Sequence, residues 1–382
     1  MTGEERLGEV APKYTPEMKA KIKETRKYSL EMIILMAFPS IMAWYYYGGE
    51  AFRLMAFSVI TAVLVEILGS KLFRINATPG DFSAVATGLA IALCMPASSP
   101  IWLPCLASTF AIFAAKLPFG NARSLMFSPA AAGVAFVTIC MPKTVFAYPA
   151  ILSSAKTSLF GTAEFTAGDS LAYMLSQKNS IGINIISYVD VFIGNVSGPM
   201  GATCAIALVS ALVYLFIRRP KTAAVSGSFL LVCFIYSILF PRVLTGRITS
   251  AFMEICSGLI LFAACFFLTD ESLLPKKFYA RLAYGISAGL ICMIIRSFGS
   301  FQDGTVFAVL IANGLVNAYD KLPFTKHEKK LRAEERRQRA ELYEAEQEQE
   351  RIEKLVGDEI STAEESNPNS ADTTSKGGAE NV

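Results

Sequence analysis

The sequence predicts an all-α polytopic membrane protein of about ten transmembrane helices. Three features point to that fold class. Apolar residues make up 53% of the 382 and charged residues only 18%, against about 25% charged in ordinary soluble domains. The charges gather in residues 1–29 and 325–382, leaving 30–324 far more apolar than the mean. Within that stretch, apolar runs recur at lengths approaching the roughly 17–25 residues a bilayer span needs. An ordinary soluble enzyme and a disordered chain are excluded.

The spans fall near 30–48, 53–70, 82–96, 101–118, 124–141, 188–217, 225–241, 251–268, 282–297 and 304–319. Several are short or contain proline: Pro39, Pro104, Pro129 and Pro199. Such breaks are tolerated where protein surrounds the backbone, and they often mark a site between half-helices. An even count puts both termini on one side. That side holds Lys71, Arg74, Lys116, Arg123, Arg218, Arg219, Lys221, Lys276, Lys277 and Arg281, besides the basic N-terminus. The positive-inside rule therefore predicts a multi-pass protein of the cell (inner, cytoplasmic) membrane with both termini cytoplasmic. The 142–187 loop is then external. Residues 325–356 read as a charged, solvated cytoplasmic helix, and 357–382 as a disordered polar tail.

Thr87-Gly88-Leu89 in the third span is echoed by Ser257-Gly258-Leu259 in the eighth. Two inverted five-helix repeats would give such an echo, and so would chance.

Composition narrows the chemistry. The only histidine, His327, lies in the charged tail. Histidine-ligated haem in the membrane, histidine-rich zinc sites and Ser-His-Asp catalysis are excluded. The eight cysteines form no C-x-x-C pair, so they read as small buried hydrophobes rather than cluster ligands. No Rossmann fingerprint or iron–sulfur motif is present, so a complete dehydrogenase is not expected. No cleavable signal peptide is expected either, because the N-terminus is polar. A net charge of +3 with a mixed-charge tail argues against nucleic acid as a partner.

The stretch that carries chemistry is Asp190–Leu208, DVFIGNVSGPMGATCAIAL. Small residues Gly194, Ser197, Gly198, Gly201, Ala202 and Thr203 precede an apolar helix. Thr203 could simply cap that helix or pack against a neighbour. It could also be a modified threonine, with a helix start suited to a phosphate, at the outer end of its span.

Here the chain resembles the D-type membrane component of the Rnf-type ion-translocating electron transport complex. That component is related to the B-type component of the sodium-translocating NADH:quinone reductase. The resemblance runs over roughly 30–324. It rests on GDFSAVATGLAIALCMP (80–96), KLPFGNARSLMFSPAAAGVAF (116–136), SGLILFAACFFLTDESLL (257–274) and the last two spans (282–320). It implies flavin mononucleotide (FMN) joined through a phosphoester to Thr203 by a flavin transferase, with Gly198, Met200, Gly201 and Ala202 around the attachment. It implies a second, non-covalent flavin (riboflavin or FMN) on the cytoplasmic side, and it puts Asp270 near a flavin pocket. The implied partners are two small membrane subunits, a flavin subunit, iron–sulfur subunits and membrane lipid. The implied function is that of one subunit of a redox-driven pump of the ferredoxin:NAD+ oxidoreductase type. Electrons would cross the membrane with coupled Na+ or H+ movement. The chain departs from the family at Ala202 and Ser128, where glutamate and asparagine are usual, and at Glu271, where proline is usual. A flavin-free scaffold paralogue and a secondary transporter or channel are the alternatives.

Acids within the spans are costly, about 2.5–3.5 kcal/mol on insertion scales. Glu66 and Glu254 sit deepest, and each suits an ion path or a structural hydrogen bond. Glu31, Lys116 and Asp303 read as interfacial, solvated or snorkelling groups.

Overall fold

A computed structural model describes residues 16–73, 81–119, 125–150, 167–176, 187–242, 246–299 and 301–321. The charged segment 325–356, the tail 357–382 and parts of the 142–187 loop lie outside the described residues. The described chain is helical apart from one isolated β-bridge, Pro149 to Ala167. Its helices are α1 (Pro16–Tyr47), α2 (Gly49–Leu72), α3 (Ser83–Cys94) and α4 (Trp102–Phe110), which runs on into a π-helical turn, Ala111–Lys116. Next come α5 (Pro129–Cys140), α6 (Pro142–Val145), α7 (Leu171–Ser176), α8 (Tyr188–Ile193), α9 (Ala205–Arg218) and α10 (Pro220–Leu239). The last are α11 (Arg247–Ile255), α12 (Ile260–Phe266), α13 (Phe278–Phe298), α14 (Thr305–Gly314) and α15 (Val316–Lys321).

Among the described residues four helices are long and apolar enough to cross a membrane: Ile22–Tyr47 within α1, α2, α10 and α13. The pair α11 and α12, bent by 51°, makes a fifth if taken as one span. The apolar segments Ser83–Cys94, Trp102–Lys116, Pro129–Cys140, Ala205–Arg218 and Thr305–Gly314 are shorter. At 1.5 Å per residue a 12-residue helix reaches about 18 Å, short of a hydrocarbon core of about 30 Å.

Two expected spans are broken. Residues 188–217 do not form one helix: α8 stops at Gly194, whose φ of +99° suits glycine, and helix resumes only at Ala205. Residues 251–268 break at Cys256–Leu259, where Gly258 has φ +59°. Of the four prolines only Pro199 lies in a break. Pro129 occupies a helix start, Pro104 lies in the first turn of α4, and α1 runs through Pro39.

Small residues set the packing. A Cβ on Gly88 of α3 would stand 2.9 Å from the Val59 Cα of α2, and one on Gly289 of α13 would stand 2.9 Å from the Phe229 carbonyl of α10. Backbones this close are how helices associate where lipid removes the hydrophobic drive. Many large apolar side chains instead face outward, among them Ile34, Leu68, Ile217 and Phe298. That suits a lipid-facing surface and not a water-facing one.

The bundle has two ends. At the distal end, where α1 finishes, Tyr46 Oη donates to the Ile193 carbonyl at 3.1 Å. At the proximal end, at the level of Tyr28 to Glu31, Arg219 donates twice to Glu31 Oε2, at 3.0 and 2.6 Å.

Candidate functional site

The distal site is the break between α8 and α9. Asn195 closes α8 by bonding Asp190 through both its backbone N–H (2.7 Å) and its Nδ2 (3.1 Å). The chain then lies along the end of α3: Met200 N–H donates to the Met95 carbonyl at 3.1 Å, and Gly201 N–H to the Leu93 carbonyl at 2.7 Å. A Cβ on Gly201 would stand 2.5 Å from Leu93 Cβ, so this glycine serves contact with α3 and its N–H is already committed. Gly198 lies against Thr203, with a built Cβ 3.1 Å from Thr203 Cγ2. Gly198, Met200, Gly201, Ala202 and Thr203 are therefore brought together.

Cys204, not Thr203, holds the N-cap position of α9, and no side chain caps that helix. The Thr203 hydroxyl makes no hydrogen bond among the described residues. Thr203 is 4% exposed, so it is covered by its own turn rather than displayed on the surface.

The proximal site is a cavity of about 310 Å³ between α1, α3, the π-helical turn, the start of α5 and the loops after α9 and α12. Met32, Met36, Phe266 and Phe267 give it apolar walls. Tyr28, Arg219, Asp270 and Glu271 stand at its mouth. Arg219 is fixed there by Glu31, stacks 5.0 Å over the Tyr28 ring and lies 3.6 Å from Glu271. Asp270 Oδ1 accepts from Ser272 N–H and Oγ, at 3.0 and 2.7 Å. Desolvation at the cavity nevertheless pushes its carboxyl above the usual range.

The cavity floor carries Lys116, which is 1% exposed. The π-helical turn delivers it inward, a backbone feature frequent at functional sites. Its ammonium donates to Glu66 Oε1 and to Ser83 Oγ, each at 2.6 Å, and Ser83 Oγ donates on to Asp81 Oδ1 at 2.6 Å. Interfacial snorkelling does not describe Lys116. The close contact with Glu66 and the hydrogen bond to Ser83 offset part of the cost of taking both charges out of water.

Asp270 does not join Thr203. Thr203 precedes the 14-residue α9, about 21 Å long at 1.5 Å per residue, and Asp270 lines the cavity together with Arg219, which follows that helix.

Residues 13–327 match the model of the NQR2, RnfD, RnfE family. The chain belongs to this family. It is similar to the D-type component of the Na(+)-translocating ferredoxin:NAD(+) oxidoreductase complex of Acetobacterium woodii. There the identity is 28% over 302 residues, 78% of this chain and 89% of the relative. It is similar to the D-type component of the ion-translocating oxidoreductase complex of Aliivibrio salmonicida, 28% identical over 329 residues (79% and 93%). The protein of the same name from Escherichia coli is 27% identical over 320 residues (76% and 90%).

This NQR2/RnfD/RnfE-family chain holds a second buried charge cluster towards the distal end. Glu254 Oε1 lies 3.3 Å from Arg296 Nε and 3.5 Å from Arg242 Nη1. Arg296 Nη2 donates to Ser257 Oγ at 2.6 Å. Asp303 is 5% exposed, so it is not an interfacial group. It accepts from Leu259 N–H at 2.6 Å, at the start of α12, where negative charge is favoured. Glu66 and Glu254 thus occupy opposite halves of the bundle, each already facing a cation. Glu31 is only half-buried and is the salt-bridge partner of Arg219.

Sequence reasoning missed Lys116, Tyr28 and Arg219 as site residues. The available signal was opposite charge at matched depth in adjacent spans, Glu66 and Lys116.

Proposed function

We propose that the chain is the D-type membrane component of a redox-driven ion pump, of the ferredoxin:NAD+ oxidoreductase type. It carries FMN on Thr203 at the external face and a second, non-covalent flavin in the proximal cavity at the cytoplasmic face. It crosses the membrane ten times with both termini cytoplasmic, and its partners are the small membrane, flavin and iron–sulfur subunits. The single observation that carries this reading is the pair of unlike sites at the two ends of α9, Thr203 before it and the Lys116 cavity beyond Arg219.

The residues at Thr203 fit a phosphoester. The hydroxyl is uncommitted among the described residues, and the uncapped start of α9 suits a phosphate. Its burial implies that the flavin is attached before the 194–204 turn seats on α3. The proximal cavity, at the low end of the roughly 300–1,000 Å³ of small-molecule pockets, combines apolar wall residues such as Met32, Met36, Phe266 and Phe267 with polar groups that could orient a ring. Bound flavins would supply the electron chemistry. The chain's residues bind and orient the rings and exclude water. The likeness of Lys116 with Glu66 and Ser83 to Arg296 with Glu254 and Ser257 supports two inverted five-helix repeats.

The test is the assembled complex in vesicles, with ion uptake and ferredoxin-dependent electron transfer measured together. Thr203→Ala should abolish both. Full coupled turnover without the threonine would favour the flavin-free scaffold reading, which Ala202 and the burial of Thr203 also suit.

A further inference from the structure

Lys116 is a fixed, buried positive charge in a cavity lined by both apolar and polar side chains. The other cation on the wall, Arg219, is partly exposed at the mouth and tied to Glu31 and Glu271. An ammonium has three N–H donors. Glu66 and Ser83 take two of them, and the third is uncommitted among the described residues. The two bonds also hold Nζ in place, so the charge cannot swing away as an exposed lysine would.

We propose that Lys116 positions and tunes the redox ring held in this cavity. Its remaining N–H would be free to donate to the N1–C2 carbonyl edge of an isoalloxazine, and its charge would raise the ring's midpoint potential. This rests on the reading that a flavin occupies the cavity. A neutral oxidised ring would become an anion on taking up two electrons, delivered in two successive one-electron transfers from the iron–sulfur carriers of the complex, and one proton from water, whose hydroxide returns to solvent. The new charge spreads over N1 and the C2 oxygen. Lys116 therefore interacts more strongly with the reduced ring than with the oxidised one, and in a poorly polarisable interior that difference is large. Glu66 works against it by partly cancelling the ammonium charge. The two residues form one hydrogen-bonded pair, yet they must move the potential in opposite directions.

The experiment uses the full chain, purified in detergent after expression with the host's flavin transferase. Non-covalent flavin is released by acid and counted, and the midpoint potential of that flavin is titrated spectroscopically in a Thr203→Ala background. Lys116→Gln should shift the potential down, Glu66→Gln should shift it up, and Lys116→Arg should stay near wild type. A merely structural pair would change flavin content without opposite shifts in potential. Equal flavin content with unchanged potentials, or with shifts of one sign, would overturn the inference and leave the cavity reading standing. If the unmutated chain releases no flavin, the cavity reading fails and the inference with it. If Lys116→Gln empties the cavity, Glu66→Gln decides alone: an upward shift supports the inference, and any other result overturns it.

Discussion

Thr203 stands two residues before the first residue of α9 and Arg219 directly after its last, so one rigid rod about 21 Å long joins the distal turn to the mouth of the proximal cavity. That relationship turns two unremarkable local features into a pair. On the proposed reading, a flavin on Thr203 at one end and a second flavin in the cavity at the other would set the two ends of an electron path across the bundle.

The buried pair Lys116–Glu66 should behave as one unit in stability. Lys116→Leu or Glu66→Leu alone leaves an uncompensated buried charge and should cost about 3–5 kcal/mol. The double substitution should recover most of that loss. Thermal unfolding of the detergent-purified chain by intrinsic fluorescence measures all three, and a double variant as unstable as the worse single one would contradict the pairing.

Glu254 lies within ion-pair distance of two cations, Arg296 and Arg242. Glu254→Gln should therefore destabilise the chain, and adding Arg242→Leu should restore part of the loss. The same unfolding assay reads the difference.

Gly201 separates close approach from backbone conformation. Gly201→Ala forces a Cβ against Leu93 and should cost about 1–3 kcal/mol, lifting the 199–202 strip from α3. Gly48→Ala meets nothing within 4 Å and carries only the strain of its φ of +64°. Flavin fluorescence of the denatured chain should fall for the first substitution and hold for the second.

Asp270 gives a pH dependence with a defined sign. Its carboxyl is pushed up by desolvation at the cavity mouth, so the folded state binds the proton more tightly than the unfolded one. Stability is then lost as pH rises from the ordinary carboxylate range through the raised value. Asp270→Asn, which can still accept from Ser272, should be more stable than wild type at neutral pH, and the difference should vanish in acid. Unfolding temperatures at the two pH values check this.

The fold class was legible because a bilayer imposes length and apolarity that can be counted along the chain. The breaks at Gly194–Cys204 and Cys256–Leu259 were less legible, since apolar composition continues through both and only φ angles and a capping Asp303 end the helices. The stretch around Thr203 announced itself by clustered small residues. Lys116 did not, because a cation near the end of a span reads as snorkelling unless its partner's depth is known, and the π-helical turn that carries it inward has no sequence signature. Arg219 and Tyr28 meet only through tertiary packing of α1 against α9, which Arg219 directly follows.

Peptide mass spectrometry of the chain, expressed with an active flavin transferase, tests the central claim most directly. The peptide containing Thr203 should carry the mass of an FMN phosphoester, and the fluorescent band on a denaturing gel should disappear in Thr203→Ala. An unmodified Thr203 peptide from a host that flavinylates other targets would contradict the account.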